Sequence, residues 1–229
     1  MKIAITRLKG KETDDSARCS VFGHECYSVS PLRAVVAGDR VEAFVSAVEK
    51  DEFDCIFFTS ALPAKIIAPL LTHWPRVIAI GPQTAKTLRA SGIGSEVLPA
   101  FYSRDFVPYL GEWIRGRRIG IPRADVPNPA LLMAIETAGG IATEVRCYSL
   151  EPTGVTLDLR TADAVLFTSA MSFTTAVWEK SPDLIIMAIG DITAAAMSGA
   201  GTVPHVVGDG SLEGCLSALD QYENSRKGI

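Results

Sequence analysis

The chain has 229 residues, enough for one large domain or two small ones. Its 48% hydrophobic and 21% charged residues are those of an ordinary globular protein, and a net charge of −4 argues against a nucleic-acid binder, which usually carries a basic face. There is no long apolar run of membrane-spanning length and no charged-then-apolar leader at Met1, so the expectation is a cytoplasmic protein without membrane contact.

Lys2-Ile-Ala-Ile-Thr6 reads as a short strand ending at Arg7, and the polar stretch from Lys9 to Cys19 offers a weak helix. A second strand, Glu25 to Ser30, is expected to stop at Pro31. Gly38 to Lys50 places Val41, Phe44, Val45 and Val48 on one helical face. The next segment predicts strand 54–58, helix Ala61–Leu71, strand Val77–Ile80, helix Gln83–Ala90 and strand Glu96–Leu98, followed by a helix over Ser103–Arg115. Strand Arg118–Arg123 and helix Pro129–Ala138, stopped by Gly139-Gly140, lead to strand Ala142–Tyr148. A further strand, helix, strand and helix begin at Asp163, helix Ser211–Asn224 closes the pattern, and Ser225 to Ile229 reads as a frayed tail.

Within this order one stretch occurs twice. Asp54-Cys-Ile-Phe-Phe-Thr-Ser-Ala61, Ala79-Ile-Gly-Pro-Gln-Thr-Ala85 and Gly92 return 109 positions later as Asp163-Ala-Val-Leu-Phe-Thr-Ser-Ala170, Ala188-Ile-Gly-Asp-Ile-Thr-Ala194 and Gly201. Two further echoes fix the connectivity. Lys2-Ile-Ala-Ile-Thr-Arg7 matches Arg118-Ile-Gly-Ile-Pro-Arg123, and Cys26-Tyr-Ser-Val-Ser-Pro31 matches Cys147-Tyr-Ser-Leu-Glu-Pro152. The middle block carries the same pieces in permuted order. The expected fold is therefore α/β, two flavodoxin-like parallel-sheet domains, one inserted in the other and joined by a two-stranded hinge. One domain is 1–31 plus 153–229, the other is 34–146, and the crossing segments lie at about 28–33 and 147–152.

Several chemistries are excluded by what is missing. There is no phosphate-binding G-x-x-x-x-G-K-[ST] loop, no G-x-G-x-x-G after a strand and no G-x-S-x-G elbow. His24, His73 and His205 are scattered, and no His/Cys/Asp group has metal-ligand spacing. The five cysteines, Cys19, Cys26, Cys55, Cys147 and Cys215, form no C-x-x-C pair and are expected to be buried free thiols.

The strand ends remain. Thr59-Ser60 and Thr168-Ser169 open helices, as do Gly81-x-x-Thr84 and Gly190-x-x-Thr193. These residues either cap the helices or turn their hydroxyls and amides to bind carboxylates, and one residue can do both. Arg7 and Arg123 end matching strands, as solvated tips or as bidentate carboxylate clamps. Tyr148 falls at the hinge, where the alternative to a functional phenol is a packing role like that suggested for Tyr27.

The duplicated Phe-Thr-Ser with Ala-Ile-Gly-x-x-Thr-Ala, the terminal Ile-x-x-Thr-Arg7 and the Cys-Tyr148 after the Gly139-Gly140 strand resemble uroporphyrinogen-III synthases. The likeness spans nearly the whole chain. It implies a cofactor-free, cytoplasmic, monomeric enzyme with two α/β domains around a flexible cleft. Such enzymes close linear hydroxymethylbilane to uroporphyrinogen III, inverting the last pyrrole ring and losing water. The resemblance marks Tyr148 as the group assisting departure of the hydroxyl, and Thr59, Ser60, Thr84, Ser169 and Thr193 as residues lining the cleft. Two positions depart from the family pattern, Leu8 where proline is commoner after the arginine, and the less polar Met171-Ser-Phe. The competing expectation is a non-catalytic two-domain binder or sensor of an anionic metabolite.

Overall fold

The protein is described by a computed structural model covering residues 1–9, 15–126 and 128–228. In chain order its elements are Lys2–Leu8 (β1), Asp15–Val21 (α1), Glu25–Val36 (β2), Gly38–Glu49 (α2), Cys55–Phe58 (β3), Ala61–Ile67 (α3), Arg76–Ala79 (β4), Pro82–Ala90 (α4), Glu96–Val97 (β5) and Phe106–Leu110 (α5). Then follow Arg118–Ala124 (β6), Pro129–Thr137 (α6), Ile141–Pro152 (β7), Ala164–Phe167 (β8), Ala170–Thr174 (α7), Ile185–Ala188 (β9), Asp191–Gly199 (α8), Val206–Val207 (β10) and Leu212–Lys227 (α9).

These elements gather into two compact units, Met1–Ala34 with Glu151–Ile229, and Val35–Leu150. In the first unit the parallel strands lie in the order β10-β9-β8-β1-β2. In the second they lie in the order β7-β6-β3-β4-β5, again parallel. Taking β6 and β7 as counterparts of β1 and β2, both orders are the flavodoxin-like one, and the second unit is permuted in chain order. The chain passes between the units twice, within β2 and within β7.

Each sheet is buried on both faces, which is why its inner strands are unbroken apolar runs. Side-chain alternation along the strands sorts residues between two cores in the first unit. Ile3, Ile5, Leu166 and Met187 pack with Leu216 and Leu219 of α9. Ala4, Val165, Phe167 and Ile186 pack with Phe173 and Met197 on the opposite face. In the second unit Phe57, Ile78, Ile119 and Ile121 meet Phe106, Leu131 and Ile135. There α2 crosses β6 at Gly120, where a Cβ would stand 2.9 Å from the Phe44 ring. Only glycine admits the ring that closely.

Several expectations are corrected. β2 does not stop at Pro31 but runs on to Val36, because the register with β1 slips between Thr6 and Leu8 and the proline falls in that irregularity. The helix expected over Ser103–Arg115 is broken: a 3-10 turn, Ser103–Asp105, leads into α5, which ends at Gly111 with φ 54, and a second 3-10 turn, Gly111–Ile114, follows. Pro69 likewise tightens the end of the α3 region into a 3-10 turn, Ala68–Leu70. The weak helix begins only at Asp15, with residues 10–14 outside those described, and α9 continues through Ser225 to Lys227 instead of fraying. Cys19 and Cys26 are disulfide-bonded, because the turn from α1 into β2 brings their Cα atoms to 6.1 Å. Cys55, Cys147 and Cys215 are buried free thiols.

Candidate functional site

In the first unit the ends of β1 and β8 are tied by hydroxyls. Thr6, fully buried, accepts from the Thr168 amide at 2.9 Å and donates to the Leu166 carbonyl or the Ser172 hydroxyl, both at 3.1 Å. Thr168 in turn donates to the Thr6 carbonyl at 2.6 Å. Ser169 caps α7: its Oγ accepts from the Ser172 amide and the Ser172 Oγ accepts from the Ser169 amide, each at 3.0 Å. Thr168 and Ser169 are thus occupied by the fold. Thr6 and Ser172 complete this network and were not singled out from sequence, although Ser169-x-x-Ser172 has capping-box spacing.

Arg7 is not a free tip. Its Nε and Nη2 fork onto the two oxygens of Asp15, at 2.7 and 3.0 Å, and Asp15 is itself buried. Gly190 precedes α8 with extended backbone, and a Cβ there would lie 3.3 Å from the Gly210 amide nitrogen. Thr193 is buried in the first turn of α8.

In the second unit the duplicate positions behave differently. Ser60 stands at the N-cap of α3 but makes no side-chain cap bond. Its hydroxyl instead interacts with the phenol of Tyr148, which is 8% exposed. Burial raises the Tyr148 pKa above 10.0, with a smaller push from Cys147, while Ser60 and the Arg123 guanidinium pull it down. Burial also pushes the neighbouring Cys147 thiol up to about 11. Thr59 is half-buried beside Ser60, Thr84 is buried in the first turn of α4, and Gly81 receives the ring of Phe101. Phe101 adopts φ 61, a strained choice for a bulky residue, and nothing in the sequence marked it.

Arg123 is the penultimate residue of β6, and Ala124 after it pairs with Tyr148. The Arg123 Nη1 lies 3.0 Å from Oε1 of Glu144 on β7, with side chains 11% and 12% exposed. The pair is out of hydrogen-bond alignment, so Arg123 Nε and Nη1 and Glu144 Oε1 are buried without hydrogen-bond partners. The other Glu144 oxygen meets Arg146 Nε at 3.3 Å, and Arg146 Nη1 meets Asp125 at 2.8 Å. The structure therefore gathers Ser60, Arg123 and Tyr148, with Glu144 as an unforeseen fourth member. It also gathers Arg7 with Asp15, and Thr168 and Ser169 with Thr6 and Ser172.

The arrangement suits anionic, multiply hydrogen-bonding ligands and a neutral phenol able to donate a proton. Among the described residues no group of three His, Cys, Asp or Glu side chains could hold a metal ion. The family profile described as uroporphyrinogen-III synthase HemD matches residues 14–209. A structure search finds a uroporphyrinogen III synthase mutant from the extremely thermophilic bacterium Thermus thermophilus, 18% identical, with 100% of this chain and 99% of that one covered and a TM-score of 0.53. It also finds uroporphyrinogen-III synthetase from Helicobacter pylori 26695, 14% identical, with 96% and 99% covered and a TM-score of 0.62. At such identities these two likenesses speak for the fold. No curated protein matches the chain by sequence. The profile match takes in most of the chain and both units, and the chain belongs to the uroporphyrinogen-III synthase family.

Proposed function

We propose that this protein closes linear hydroxymethylbilane to uroporphyrinogen III, as a cyclising lyase of tetrapyrrole biosynthesis that inverts the last pyrrole ring and releases water. The observation that carries the reading is the family match over residues 14–209. The substrate's eight carboxylates call for donors distributed over a wide surface, and the strand ends of both units supply hydroxyls, helix N-termini and arginines of the right kind. Tyr148 donates its proton to the departing hydroxyl, which leaves as water with the C–O electron pair. The phenol is protonated at neutral pH, burial raises its pKa further above the ordinary 10.0, and Ser60 and Arg123 favour the phenolate that remains. The bound chain is held so that the substituted carbon of the last ring attacks, giving a spiro intermediate. That is chiefly a matter of orientation.

Thr59, Ser60, Gly81 and Gly190 form further substrate contacts, Thr84, Thr168, Ser169 and Thr193, whose side chains are buried or bonded within the fold, contribute through the helix starts they shape, and Arg7 takes part through exchange with Asp15. The reaction needs no cofactor, so chelator treatment is expected to leave turnover unchanged, as an assay before and after exhaustive dialysis against a chelator would check. The protein acts as a cytoplasmic monomer without nucleic-acid or membrane partners. No helix among the described residues is long and apolar enough to cross a membrane. The deciding experiment supplies hydroxymethylbilane from a coupled deaminase and separates the product isomers. Dominant uroporphyrinogen III is expected, and product no richer in that isomer than the spontaneous reaction would sink the reading.

A further inference from the structure

The ion pair beside Tyr148 is incomplete. Arg123 and Glu144 face each other at 3.0 Å, almost wholly out of solvent, yet without an aligned hydrogen bond between them. Buried charges normally satisfy their donors and acceptors, because an unmade bond there carries the full desolvation penalty. Each unmade bond therefore lowers the cost of Arg123 taking a better-aligned partner. Glu144 does not depend on Arg123 alone. Its second oxygen meets Arg146, which is anchored to Asp125 and is far more exposed, at 42%. If Arg123 moves away, Glu144 keeps a cation and no bare buried charge is left, the situation that makes breaking a buried pair so costly.

We propose that Glu144 is an internal stand-in for a substrate carboxylate. It holds Arg123 beside Tyr148 in the empty enzyme and yields it to a carboxylate of the bound ligand, while Arg146 retains Glu144. The step is an exchange of partners in which no covalent bond changes. The incoming carboxylate can take two parallel N–H groups of the guanidinium, where Glu144 takes none in alignment. Glu144 is thus a positioning and specificity-determining residue, since a ligand lacking a carboxylate at that point gains nothing for separating the pair. The inference rests on the reading of the substrate as a linear polycarboxylate.

The test uses the full chain, with uroporphyrin, an octacarboxylate, as the probe titrated by fluorescence. Glu144→Gln removes the competitor, and its Kd is expected to fall about threefold to tenfold. Arg146→Met removes the cation that takes over Glu144, and its Kd is expected to rise by a similar factor, about threefold to tenfold. In an Arg123→Met background the Glu144→Gln effect should vanish. If Glu144→Gln does not fold, Glu144→Asp, which loosens the pair by one methylene, should shift Kd in the same downward direction. Binding weakened alike in both single variants would show a merely structural pair and overturn the proposal, as would unchanged Kd in both. Turnover of hydroxymethylbilane is followed in parallel. Opposite shifts without any turnover would sink the synthase reading alone, and a wild-type chain that binds no uroporphyrin would overturn both.

Discussion

Tyr148 is the residue at which chemistry and packing can be separated by one atom. Tyr148→Phe keeps the buried ring and deletes only the hydroxyl, so the thermal midpoint should hardly move. General acid assistance is worth about 10²–10⁴-fold, and because this substrate ionises unaided the loss of kcat should fall near about 10²-fold. The slow product should remain the inverted isomer, measured by chromatography of the oxidised porphyrins, and full activity would leave Tyr148 a packing residue. Its pH behaviour follows from burial. With the folded-state pKa above 10.0, the native phenol keeps its proton through a window in which the unfolded chain has lost it. A phenol acting in the proposed role would therefore keep its proton across that window, while its contribution to stability is lost as pH rises through the folded value.

The helices following β3 and β8 share one motif and use it differently, which gives a test at the level of the element. Ser169 caps α7 in a reciprocal box with Ser172, so Ser169→Ala should cost about 1 kcal/mol of stability. Ser60 makes no such bond to α3, so Ser60→Ala should leave the melting temperature nearly unchanged and act on turnover instead. Equal losses of stability in the two variants would mean that Ser60 caps its helix after all. At the crossing of α2 and β6, Gly120→Ala drives a methyl group into Phe44 and Phe53, and overpacking of this kind costs about 1–3 kcal/mol. Phe44→Leu in the same chain should recover part of it. The apolar runs of β3 and β8 and the Thr-Ser that follows them were legible in the sequence because period and punctuation are local signals. The passage of β2 through Pro31 was not, since it depends on a register slip against β1. Nor was Glu144, which reads as an ordinary strand position until β6 and β7 are laid side by side. Arg7 was found, but its carboxylate partner Asp15 lies across a segment whose path the sequence does not reveal.

For the whole molecule, the contiguous unit should stand alone. A fragment of Val35–Leu150 is expected to give α/β circular dichroism and cooperative unfolding, whereas residues 1–115 should not, since that cut removes β6 and β7 from one sheet and β8 to β10 from the other. A better-folded second fragment would overturn the assignment of the units as domains. Burial raises Cys55 and Cys215 to about 12 and Cys147 to about 11, against an ordinary 9.0. From pH 9 up to those values the native state keeps protons that the unfolded chain releases, so stability should decline through that range, and a Cys55→Ala/Cys147→Ala/Cys215→Ala chain should show a flatter decline in urea titrations. The interrupted course of the first unit also carries a consequence for synthesis. As the chain leaves the ribosome, β1 and the start of β2 emerge early but lack β8, β9 and β10, which are made last. The 35–150 segment can close its core while those first strands are still waiting, and until β8 (Ala164–Phe167) has cleared the exit tunnel the amino-terminal strands present an unfinished sheet edge to their crowded surroundings.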